Sequence, residues 1–267
     1  MTTLTLALLA AALGTAVWAV TRRPSAPLTS SGNATSTDLA PSSDLSSHSQ
    51  ENTMTTPTIT IIGAGNMGRG IAHVAARGGH TVTIVDRSAD DAQALASELQ
   101  TAQAGSAVRA GTLDDPLGDV VVLATWYTNA QDIARQLGHR LDGKVVVDIS
   151  NPLTPDFSGL AIGGTTSAAE ELAAVIPSAH VVKAFNTTFA GTLVAGQVAG
   201  QPLDVLIAGN DADAKAILAA VVTAGGLRAI DVGPLERARQ LEGLGYLGIQ
   251  LQFTQHTNFA SSWKFLA

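Results

Sequence analysis

The chain has 267 residues, 46% of them hydrophobic and only 14% charged, with a formal net charge of −7. It can therefore bury a sizeable core, and the acidic balance, with no basic stripe, argues against nucleic acid as a partner. Cysteine is absent, which excludes disulfides, thiolate metal sites and cysteine nucleophiles; the six histidines show no metal-ligand spacing, so no metal is expected.

Residues 4–20 form an uncharged apolar run closed by Arg22 and Arg23. As a helix it would span roughly 25 Å, short of a hydrocarbon core of about 30 Å. Positive charge follows the run and does not precede it, so a secretory signal is disfavoured. As an anchor it would keep the rest of the chain in the cytoplasm. Residues 21–56, rich in Ser and Thr with Pro24, Pro27 and Pro41, read as a linker. An equal alternative is that translation starts at Met54, just before the first strand. The expected organisation is 1–56 as this segment, 57–232 as the main folded domain and 233–267 as a helical extension.

A β-rich strand over 58–62 runs straight into Gly63, Ala64, Gly65, Asn66, Met67 and Gly68, the pattern G-x-G-x-x-G, and then a helix. In that pattern the first glycine permits the turn, the second lets a pyrophosphate approach the backbone, and the third lets helix and strand pack closely. Met67, Ile71, Val74 and Ala75 share one helical face, and Gly78 and Gly79 end it. The next strand, 80–85, delivers Asp86 about twenty residues beyond Gly65, where an acid bonds an adenosine ribose. Arg87 beside it pulls the other way. The carboxylate favours the free hydroxyl of NAD, whereas the guanidinium can pair with the 2′-phosphate of NADP.

Ser88 to Asp91 read as a helix cap, with Ala92, Leu95, Ala96 and Leu99 inward. Strands are expected over 106–109, 119–124 and 144–148, with a helix over 129–137. Then follow a helix over 170–176, strands over 180–185 and 203–208, and a helix over 211–224 with Ile217, Leu218, Val221 and Val222 inward. A strand over 227–232 comes next, then one or two helices over 235–263, broken or thinned near Gly243, Gly245 and Gly248. This alternation predicts a Rossmann-type, doubly wound α/β fold with a mainly parallel sheet and a C-terminal helical extension.

Ligands of such sheets bind outside the carboxyl ends of the strands. Besides the glycine loop, three segments should arrive there, 124–127, 148–152 and 185–189, bringing Ala124, Thr125 and Trp126; Asn151 and Pro152; and Asn186 and Thr187. Cofactor contacts are expected from the six loop residues, Asp86, Arg87, Ala124 and Thr125, and substrate contacts from the other five. Trp126 fits either ring stacking or packing, and Asn186 either a ring or amide contact or a turn cap. Lys183 reads as a solvated strand-end lysine, Asp148 as a brace for the Asn151–Pro152 turn, and His73 as a surface or packing residue.

The stretches 62–68, 147–153, 182–187, 204–209 and 231–235 together resemble the NADPH-dependent reductases of the deazaflavin coenzyme, the F(420)H2:NADP oxidoreductases. They are also similar to the oxidoreductase domain of the STEAP metalloreductases. The resemblance covers 57–267 and implies an NAD(P)-dependent oxidoreductase in which nicotinamide and a deazaflavin-like ring exchange hydride directly. NADP(H) is then the favoured cofactor and NAD(H) the alternative, with a small-molecule hydride donor or acceptor as partner; a homodimer is one assembly open to the chain, and the sequence does not fix the oligomeric state. Asp86 departs from the small hydroxyl residue common in that family. Direct transfer needs positioning rather than an acid–base pair, so no catalytic side chain is expected. The glycine loop alone also matches the N-terminal domain of pyrroline-5-carboxylate reductases, an imine-reducing alternative that wants more helical chain than follows residue 233. A non-catalytic dinucleotide sensor is the remaining reading.

Overall fold

The computed structural model describes residues 56–162 and 164–266. The expected anchor, linker and alternative start at Met54 lie outside the described residues. Among the described residues no helix is long and apolar enough to cross a membrane.

The first strand, β1 (Ile59–Ile62), leads through the glycine turn into α1 (Asn66–Arg77). Then come β2 (Val82–Val85), α2 (Ala89–Ala102), β3 (Val108–Gly111), β4 (Val120–Leu123), α3 (Tyr127–Leu137) and β5 (Val145–Asp148). The second half holds α4 (Ala168–Val175), β6 (His180–Lys183), α5 (Ala190–Ala195), the hairpin β7 (Gln197–Val198) and β8 (Gln201–Pro202), and β9 (Asp204–Gly209). It closes with α6 (Ala212–Ala224), β10 (Arg228–Gly233) and α7 (Ala238–Thr254).

Eight strands form one sheet in the order β10-β9-β6-β5-β4-β1-β2-β3. Every pairing is parallel except β6 with β9, which is antiparallel over two residue pairs. The run β3-β2-β1-β4-β5-β6 is the doubly wound dinucleotide-binding order, with its switch point between β1 and β4. The central strands are apolar throughout because both faces are covered. Ile59, Ile61, Val120 and Val122 join one core with Ile71, Leu95 and Leu218, while Ile62, Val121 and Leu123 join another with Ala130, Ala134 and Leu172.

Local signals hold up well. Ser88 accepts the Asp91 N–H at 3.2 Å as the cap of α2, and Ala92, Leu95, Ala96 and Leu99 are its buried face. The strand expected over 106–109 lies two residues later. The short α5 and the β7–β8 hairpin carry too few periodic residues to be read in advance.

Of the one or two helices expected over 235–263 the chain forms one, α7, which is unbroken at its glycines and ends at Thr254. Its glycines are packing points. A Cβ on Gly245 would stand 2.5 Å from Asn151 Oδ1, and one on Gly248 3.2 Å from the Trp263 indole nitrogen. Close approach of other segments explains these two glycines without any break in the helix.

Candidate functional site

The glycine turn shows three different environments. Gly63 has φ +115°, and a Cβ there would lie 2.4 Å from the Ala124 carbonyl oxygen. A Cβ on Gly68 would lie 1.8 Å from the Gly63 carbonyl oxygen. At Gly65, by contrast, nothing stands within 4 Å of where a Cβ would be. Two glycines are thus demanded by the protein's own packing, and the third faces open space.

That space lies at the N-terminus of α1, which has no side-chain cap and no acid in its first turn. The N-terminus of α3, across the switch point after Ala124, Thr125 and Trp126, is likewise uncapped and free of acids. Uncapped N–H groups and the positive ends of the helix dipoles make both termini receptive to phosphate oxygens.

Asp86 reaches back to the turn. Its Oδ2 accepts the Ala64 N–H at 2.7 Å and its Oδ1 the Ser88 N–H at 3.0 Å. The carboxylate therefore braces the glycine loop, and Arg87 beside it is exposed and makes no ion pair among the described residues. On α1, His73 is buried and bonds Glu98 at 2.8 Å, with Arg69 on the same carboxylate; it packs and does not face the turn.

The substrate side is less open than the sequence suggests. Trp126 is 64% exposed, its ring edge-on to Phe157 with centroids 6.4 Å apart, so it is no core residue. Pro152, Asn186 and Thr187 are buried. Asn186 donates to Asn151 Oδ1 at 2.9 Å and to the Leu241 carbonyl at 2.8 Å, while Asn151 donates to the Asn186 carbonyl at 2.9 Å. The pair ties the loops after β5 and β6 to α7. Asn186 Oδ1 and Ser150 Oγ are buried without a partner in the same region.

Lys183 is the main correction. It is fully buried, its ammonium donating to Asp148 Oδ2 at 2.8 Å, to Glu242 Oε1 at 2.8 Å and to the Ser150 carbonyl. Asp148 does brace its turn, accepting the Ser150 N–H at 2.9 Å, but it is also a member of this buried ion triad. Burial pushes the Glu242 carboxyl up from its ordinary range, and the Lys183 charge opposes that shift. Glu242 and Lys183 were legible only indirectly. A lysine and an aspartate paired in register at the ends of two valine-rich strands cannot both be solvated when those strands are central.

Nearby, Glu171 accepts from the Tyr127 hydroxyl and from Gln131, with no cation on it among the described residues. Burial and this carboxylate raise the Tyr127 hydroxyl to about 12.

A mainly parallel open sheet with a glycine turn at its switch point, beside two helix N-termini whose cap residues give no side-chain bond, defines a Rossmann-type dinucleotide-binding protein. Residues 58–152 match the family described as NADP oxidoreductase, coenzyme F420-dependent. A solved structure from Arthrobacter sp. FB24, described as a candidate F420-dependent NADP-reductase, is 31% identical, with a TM-score of 0.68 over 79% of this chain and 100% of that one. The chain belongs to this family of NAD(P)-dependent oxidoreductases. The rat metalloreductase STEAP3 is 29% identical over 188 residues, 70% of this chain and 36% of that protein. The F420-dependent NADP reductase of Methanocaldococcus jannaschii is 33% identical over 141 residues, 50% of this chain and 62% of that one. The chain thus spans between about a third and two thirds of the length of these curated relatives.

Proposed function

We propose that this protein transfers hydride between NADP(H) and a deazaflavin-like ring. The observation that carries this reading is the free volume over Gly65, between two helix N-termini without side-chain caps, with Arg87 just beyond β2 making no ion pair among the described residues. Gly65 and the first turn of α1 would hold the pyrophosphate, and Arg87 the 2′-phosphate. Because Asp86 is engaged with the loop backbone, it repels that phosphate less than a free carboxylate would. When bound, the nicotinamide supplies or accepts the hydride. The chain's own contribution is placement and shielding. Trp126 offers an exposed aromatic face at the mouth of the cleft, and α7, held by Asn186 and Lys183, roofs the ends of β5 and β6.

The test is stopped-flow absorbance of the purified protein with NADPH or NADH against deazaflavin, flavin and ferric acceptors. Rapid oxidation of NADPH with deazaflavin supports the reading. Turnover confined to flavin or ferric acceptors moves the protein to another branch of the fold, and cofactor binding without any turnover makes it a sensor.

A further inference from the structure

Register places the buried triad close to the cofactor cleft. Leu123, the last residue of β4, pairs with Asp148, and Asp148 pairs with Lys183. Adjacent strands lie about 4.8 Å apart, so the triad begins one strand from the switch point and ends about two strands, roughly 10 Å, from it. Asp86 and Arg87 mark the adenosine side at the end of β2. On the proposed reading, the nicotinamide half of the cofactor then lies on the opposite side, over the ends of β4 and β5.

The charges there do not balance. Two buried carboxylates, Asp148 and Glu242, share one ammonium, Lys183. Glu171 adds a carboxylate bonded, among the described residues, to the neutral Tyr127 and Gln131. The neighbouring Glu170 is compensated by Arg239 at 2.5 Å. With Asp148 and Glu242 both ionised the triad carries a negative surplus, buried away from water, and an unscreened buried charge acts over longer range than one at the surface.

We propose that Asp148 and Glu242, outnumbering Lys183, set the redox preference of the site, holding an oxidised, cationic nicotinamide more tightly than a reduced, neutral one. This rests on the proposed cofactor reading. These are positioning charges that touch neither reacting ring. Their role is electrostatic, favouring hydride donation by NADPH over the reverse transfer.

The experiment measures dissociation constants of NADP⁺ and NADPH separately, by calorimetry at pH 8, for the full chain and for Glu242→Gln. Removing one unit charge at about 10 Å, at an effective dielectric of about 20, should raise the NADP⁺-to-NADPH ratio of dissociation constants on the order of tenfold. A merely structural role would weaken both forms alike and leave the ratio unchanged, which would overturn the inference. Glu171→Gln, at a half-buried position, should shift the ratio the same way by a smaller factor, and it decides the matter if Glu242→Gln does not fold. If only NAD(H) binds, the NAD⁺-to-NADH ratio reads the same effect. If neither nicotinamide binds the unaltered protein, the cofactor reading itself fails, and this inference with it.

Discussion

Gly68 sits so close to Gly63 that a Cβ on the former would stand 1.8 Å from the carbonyl oxygen of the latter, whereas Gly65 between them meets nothing. The same three-glycine motif therefore separates into packing and ligand roles. Gly68→Ala should disrupt the β1–α1 junction, because backbone must move to admit the methyl group. Gly65→Ala should fold normally and lose at least an order of magnitude in nicotinamide cofactor affinity. Thermal melts with calorimetric titration separate the two, and an unchanged affinity for Gly65→Ala would remove the cofactor from this loop.

Asp86→Ser should raise the NADPH-to-NADH ratio of kcat/KM. The substitution removes a carboxylate from beside the 2′-phosphate position and leaves Arg87 unopposed. A ratio that falls or stays constant shows that Asp86 serves the loop alone, through its bonds to Ala64 and Ser88.

Lys183→Met should cost about 3–5 kcal/mol of stability, because it strands Asp148 and Glu242 together in the interior without their cation. Denaturant unfolding of this variant beside Lys183→Met/Glu242→Gln checks the cause. The second change removes one of the stranded charges and should recover part of the loss.

The C-terminal tail is held by a carboxylate with an acid-side limit. Asp204 is buried, which opposes its ionisation, but bonds from Arg228, Lys264 and the Phe265 N–H outweigh that and hold its carboxyl at about 2. A carboxyl whose folded value lies below its unfolded one stabilises fully above the unfolded value, near 4, and that stability disappears as pH falls through the folded value. Roughly 2 kcal/mol should therefore be lost between about pH 5 and pH 2. In Asp204→Asn this part of the acid dependence should vanish, as followed by fluorescence of Trp263 against pH.

A chain started at Met54 should fold and keep full cofactor binding, since the compact unit that holds the sheet and the cleft runs from Thr55 to Ala267. Loss of binding in that shortened chain would assign residues 1–53 a part in the site.

Where a signal is local, the sequence by itself determined the outcome. β1, the glycine turn and α1 follow from adjacent residues, and so do the Ser88 cap, the inward face of α2 and the central run of β4, because periodicity and capping are satisfied within a few residues. The packing role of Gly68 and the open space at Gly65 also agree with the motif. Long-range contact decided the rest. Lys183 looks like an ordinary strand-end lysine until β5 supplies Asp148 and α7 supplies Glu242, residues distant in sequence that together make its burial tolerable. The three α7 glycines look like breaks until Asn151 and Trp263 are seen packed where two of the missing side chains would be. Trp126, which composition alone leaves between core and surface, is exposed because it is the cap residue of α3, on the loop beyond β4, where its ring meets Phe157 only edge-on.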